Sequence, residues 1–124
     1  MNIQKFSYYD TRSDGRGSFR GVIGGDDIWR EINLFFTHAG MMRGGHYAEK
    51  SCELVFLTKG RVEVTLRDVR NPEDVVKLTL GPGEGLVIPP LVCRTFHYAE
   101  DGEAISARDI PHSETGPDIP FEAP

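Results

Sequence analysis

The residues best suited to chemistry are gathered in Arg43-Gly44-Gly45-His46-Tyr47-Ala48-Glu49-Lys50, with Glu53 just beyond. Histidine titrates near neutrality, so His46 suits proton abstraction. Arginine presents a planar fork of donors that matches phosphate or carboxylate, so Arg43 suits an anionic substrate. One histidine beside an arginine points to base chemistry on an anion rather than to metal chemistry. Further along, Arg94 and Tyr98 stand four apart in an apolar run, and on a strand such residues share a face. Arg94 there would bind phosphate or stabilise an enolate oxygen. Equally, it would pair with Glu53, because a lone buried carboxylate is costly.

The elements that must position these groups read as strands. Arg61-Val62-Glu63-Val64-Thr65-Leu66-Arg67 alternates polar and apolar residues, which predicts a strand with Val62, Val64 and Leu66 on one buried face. Further strands are expected at 29–37, 51–58, 75–80, 86–88, 92–98 and 103–109, separated by Gly, Pro and Asp punctuation. Lys59-Gly60 should close a hairpin, Asn71-Pro72-Glu73-Asp74 a longer loop, and Gly81-Pro82-Gly83 a tight reversal. No segment sustains a 3.6-residue apolar period, so no helix is expected. The pattern implies a small antiparallel sandwich or barrel. A single domain over 1–124 is expected, with its core at about 14–110 and an extended tail over 111–124.

Bulk properties narrow the partners. A chain of 124 residues is large enough for one domain with a real core. Its net charge of −5 argues against general nucleic-acid binding, which needs a basic surface, but leaves room for one small anion held by local arginines. No apolar run approaches the ~20 residues of a membrane span. The opening MNIQKFSYYD is too polar for a signal peptide, so the cytoplasm is the expected location. Cys52 and Cys93 lie in apolar runs, too far apart for a Cys-x-x-Cys motif, and read as reduced thiols.

The spacing Gly40, His46, Glu53, Gly60 resembles the cupin frame G-x5-H-x-H-x4-E-x6-G, with Ala48 in the second histidine position. Gly83 and Pro89 resemble the start of the second frame, G-x5-P-x-G-x2-H-x3-N, where Leu91, Arg94 and Tyr98 replace glycine, histidine and asparagine. The chain is also similar to the sugar-nucleotide branch of that superfamily. Asp14-Gly15-Arg16-Gly17 looks like its early D-x-R-G element, and Arg43-Gly44-Gly45-His46-Tyr47 like the R-G-L-H-Y of dTDP-4-dehydrorhamnose 3,5-epimerases. Ile88-Pro89-Pro90-Leu91-Val92-Cys93-Arg94 looks like the I-P-P-M-x-W-R of dTDP-4-keto-6-deoxyhexose 3,4-ketoisomerases.

The resemblance implies an all-β cupin, a double-stranded β-helix or jelly-roll barrel. It also implies a metal-independent isomerase or epimerase acting on a 4-keto-deoxy sugar nucleotide, expected to be dTDP-linked, in a homodimer without a cofactor. His46 would be the base and Tyr98 a candidate acid. Arg43, Tyr47, Lys50, Glu53 and Arg94 would contact substrate. Asp109 and Asp118 are weaker candidates for orienting His46. The chain departs from both relatives: Ala48 removes the second histidine of the ketoisomerase H-A-H, and Ile105-Ser106-Ala107-Arg108-Asp109 lacks the late tyrosine of the epimerases. A non-catalytic cupin that binds a sugar nucleotide is therefore the alternative, and a metal cupin using His46, Glu53 and His97 a third.

Overall fold

The computed structural model describes residues 1–24 and 28–122. A detached hairpin comes first, β1 (Asp10–Asp14) with β2 (Gly17–Gly21). The barrel follows: β3 (Glu31–Thr37), β4 (Met42–Tyr47), β5 (Glu53–Lys59), β6 (Val62–Asp68), β7 (Val75–Leu80), β8 (Glu84–Ile88), β9 (Val92–Tyr98) and β10 (Gly102–Arg108). One helical turn, α1 (His112–Thr115), and a two-residue strand, β11 (Ile119–Pro120), end it. The expected all-β cupin architecture is present: an antiparallel four-stranded sheet, β3-β10-β5-β8, faces a five-stranded one, β11-β4-β9-β6-β7.

Every connection from β3 to β11 crosses between the sheets except the β6–β7 hairpin, whose loop carries Asn71-Pro72-Glu73-Asp74 as expected. The Lys59-Gly60 hairpin does not form. β5 is already flanked by β10 and β8, and β6 by β9 and β7, so neither offers the other a free edge. Gly60, at φ 93°, instead steers the chain from one sheet to the other. The tail also departs from a wholly extended arm, since α1 turns it back before β11 joins the edge of β4.

The alternation in β6 works as read: Val62, Val64 and Leu66 are buried and pack with Leu57, Leu80, Leu86, Ile88, Val92 and Phe96 between the sheets. β5 is buried on both faces. Its outer Leu54 and Phe56 are covered by the N-terminal segment, where Phe6 and Tyr8 set their rings 5.9 and 5.3 Å from that of Phe56. Phe6 also exchanges two backbone hydrogen bonds with Gly85, which fastens this segment along β8. Cys52 is half-buried and Cys93 buried. Among the described residues no helix is long and apolar enough to cross a membrane.

Candidate functional site

Where the apolar core stops, a cavity of about 290 Å³ opens between the sheets. Met42, Arg43, Gly44, His46, Phe96 and Tyr98 line it from the five-stranded side, and Phe35, Glu53, Val55, Ala104 and Ser106 from the other. Plain strand alternation would put Arg43 and His46, three apart, on opposite faces. A β-bulge prevents this. Gly44 pairs with Thr95 and His46 with Arg94, so Gly45 is the extra, unpaired residue, and the phase shift brings Arg43 and His46 onto one face. Both glycines have positive φ, 100° and 77°, and a Cβ on Gly44 would meet the Arg94 carbonyl oxygen at 2.3 Å. The Gly-Gly pair is therefore a geometric requirement of the site.

Arg43 lies at the rim. Its Nε donates to Thr37 Oγ1 (2.6 Å) and its Nη2 to the Phe36 carbonyl (2.9 Å), while the guanidinium stands 5.3 Å from the Phe35 ring centre. His46 is part-exposed, and its Nδ1 lies 3.1 Å from Asp118 Oδ2. β11 delivers this carboxylate: Ile119 and Pro120 pair with Tyr47 and His46, and the Phe121 N–H donates to the Gly45 carbonyl of the bulge.

Asp118 is the hub of a buried charge cluster. It accepts from Arg108 Nη1 at 3.0 and 3.3 Å, with Arg94 Nη1 at 3.6 Å and His112 Nε2 at 3.8 Å. Burial alone would raise its pKa, but His46, Arg108 and Arg94 together outweigh burial and hold it well below the usual carboxylate range. Behind the tail, Glu31 accepts from Asn33 and faces His112 Nδ1 at 2.7 Å. The Asn33 hydrogen bond, with the His112 contacts, overcomes burial and brings Glu31 down to about 2.

Glu53 behaves oppositely. It makes no hydrogen bond among the described residues, and its ion-pair partner, Arg94 Nη1, is 4.0 Å away. Burial pushes its carboxyl up, and the pull of Arg94 and Arg108 only partly compensates. Arg94 is fully buried, none of its guanidinium nitrogens has a hydrogen-bond partner among the described residues, and it is absent from the cavity lining. It stands between Glu53 and Asp118, as a structural partner would. Tyr98 is buried at the cavity wall, where loss of solvent raises its phenol pKa despite Thr37 and Arg43 nearby.

The structure thus brings His46, Arg43, Glu53 and Tyr98 together. Tyr47 and Lys50 it does not: they line a separate outer groove with Glu114 and Ile119, and the Tyr47 ring packs edge-on against Phe121. His97 is exposed on the outer face of β9, and no three His, Cys, Asp or Glu side chains among the described residues gather as metal ligands would. Arg108 was not singled out from sequence. Its place at the end of the small and apolar run Ala104-Ile105-Ser106-Ala107 was the available signal. Phe35, from β3, faces the cavity.

No family model and no curated protein sequence matches the chain. Solved structures do. The TDP-quinovose 3,4-ketoisomerase WlaRB from Campylobacter jejuni aligns over 97% of this chain and 93% of its own, with 16% identity and a TM-score of 0.80. The dTDP-4-dehydrorhamnose 3,5-epimerase from Sulfolobus tokodaii gives 25% identity, a TM-score of 0.74 and coverage of 86% and 69%. The sugar 3,4-ketoisomerase QdtA from Thermoanaerobacterium thermosaccharolyticum, solved with TDP, gives 22%, 0.75, 92% and 85%. The fold is the cupin fold of these enzymes. In cupin terms, Ala48 fills the second histidine position as a buried apolar residue. Leu91 replaces the second-frame glycine yet keeps a left-handed φ of 64°, clamped by backbone bonds to Ala48 and Val69.

Proposed function

We propose that the protein is a metal-independent isomerase or epimerase acting on a dTDP-linked 4-keto-deoxy sugar. The observation that carries this reading is His46 backed by Asp118 and opening on a cavity with Arg43 at its rim. A proton on Nδ1, facing the carboxylate, leaves Nε2 as the base. Nε2 takes the proton alpha to the ketone, and the electron pair passes into an enolate whose oxygen Tyr98 can hydrogen-bond. The volume of about 290 Å³ suits a hexose, with the diphosphate outside against Arg43. Related structures solved with TDP and with TDP-4-keto-6-deoxyglucose support this substrate class. A cytoplasmic location belongs to the same proposal.

Solvent deuterium exchange at C3 of TDP-4-keto-6-deoxyglucose tests it. Incorporation by the wild type and none by His46→Ala is expected. No exchange, or equal exchange by the variant across a panel of nucleotides, would remove the reading. One observation favours a non-catalytic sugar-nucleotide binder instead: β10 presents only Ala104 and Ser106 to the cavity, with no tyrosine. That reading predicts thermal stabilisation by dTDP-sugars without exchange.

A homodimer completes the proposal. Ile32, Leu34 and Phe36 stand exposed on the outer face of β3, which is an edge strand, and the β1–β2 hairpin forms a separate two-stranded sheet. A bare apolar edge and an isolated two-stranded hairpin are each poorly stable alone, and a second copy would cover both.

A further inference from the structure

We infer that Glu53 is a second catalytic group, a carboxylic acid that protonates the enolate carbon from the wall opposite His46. This rests on the isomerase or epimerase reading and adds to it the source of the second proton. His46 belongs to β4 in the five-stranded sheet and Glu53 to β5 in the four-stranded sheet, so substrate between them meets the two groups on different faces. Of the residues that line the cavity from the four-stranded sheet, Glu53 alone is ionisable, the others being Phe35, Val55, Ala104 and Ser106. Its register partner on β10 is Arg108, while the small Ser106 and Ala104 that follow on β10 line the cavity beside it.

No hydrogen bond occupies the Glu53 carboxyl among the described residues, and Arg94 at 4.0 Å lies beyond hydrogen-bond reach. Burial without a hydrogen bond shifts the carboxyl toward its neutral form, against the pull of Arg94 and Arg108, and the neutral form has a proton to give. The charged groups around it are Arg94 from β9, Arg108 from β10, Asp118 from the tail and His46 from β4. Arg94 is near enough to stabilise the carboxylate left after transfer.

The step balances. The substrate C–H bond breaks with its proton going to His46 Nε2 and its electrons to the enolate. The Glu53 O–H bond then breaks as a C–H bond forms on the other face. Proton exchange with water returns imidazolium and carboxylate to their starting states. The product is inverted at the carbon alpha to the ketone, which makes the reaction an epimerisation rather than a one-face carbonyl shift.

TDP-4-keto-6-deoxyglucose in D2O, followed by NMR, tests this on the full chain. In Glu53→Gln, washout of the alpha proton into recovered substrate should persist, while inverted product falls ~10²-fold. Glu53→Asp should recover part of the inversion. Should the glutamine variant fail to fold, the aspartate variant and the wild-type pH profile remain, with inversion declining as pH rises through the Glu53 ionisation while washout does not. Wild-type inversion rates in Glu53→Gln, proportional loss of washout and inversion in a folded variant, or a wild type that moves the carbonyl without inversion would each overturn it. Absence of washout in the wild type would overturn the underlying reading as well.

Discussion

On the five-stranded wall Arg43 donates to Thr37 and Phe36, and His46 stands against Asp118. On the four-stranded wall Glu53 makes no hydrogen bond and Ser106 Oγ is unpartnered among the described residues. The two sheets have similar cores but treat their polar groups differently. At the cavity, Arg43 is held by two hydrogen bonds and His46 by its ion-pair contact with Asp118, whereas Glu53 and Ser106 keep their bonding capacity for whatever enters. The charge cluster behind the first wall supplies the holding force, and the tail that brings Asp118 is its source.

Removing that source should cause the largest change. Asp118→Ala would leave Arg94 and Arg108 buried with their shared counter-charge gone, and a loss of ~3–5 kcal/mol in urea unfolding is expected. An unchanged midpoint would mean that the cluster does not organise the first wall. His46→Ala should separate function from stability, since the side chain is part-exposed. Exchange should drop by ~10²-fold or more while the melting temperature barely moves.

Acidification compares the carboxylates held by partners with the one left without a hydrogen bond. Glu31 and Asp118 have lowered folded pKa values, so their stabilisation is complete above the ordinary carboxylate range and is lost as pH falls, for Glu31 toward about 2. Glu53 is raised, so its contribution is complete at low pH and declines as pH rises from the ordinary range to its folded pKa. Urea midpoints measured against pH should show Glu31→Gln flattening the acid limb and Glu53→Gln flattening the opposite one. Identical profiles for the two variants would erase the contrast. The smallest effect on the cavity should come from Leu34→Glu on the outside of the four-stranded wall. It should convert a dimer to a monomer in light scattering while leaving deuterium exchange within about twofold, in keeping with an exposed surface position.

Much of the fold was legible because strands declare their faces by alternation. Val62, Val64 and Leu66 needed no partner to be assigned inward, and the Gly and Pro turns marked nearly every strand end. What alternation does not encode is pairing, which is why Lys59-Gly60 read as a hairpin although its two strands belong to different sheets. The site divided along the same line. Arg43 and His46 were recognisable by residue type and spacing, yet only the bulge at Gly44-Gly45 explains how residues three apart share a face. Tyr47 and Lys50 belonged to the same motif and turned away from the cavity.

Residue types and local periodicity, then, determined that this chain is an all-β barrel with a histidine and an arginine near one strand end. Both are short-range properties, carried by side-chain chemistry and by the two-residue repeat of a strand. Tertiary structure decided which carboxylate serves which group. Asp118 reaches His46 because β11 pairs with β4, and two buried arginines keep it charged. Glu53, chemically similar, is left on the opposite wall with burial as the dominant influence. The difference is one of desolvation and neighbouring charge, quantities that exist only once distant segments have packed together.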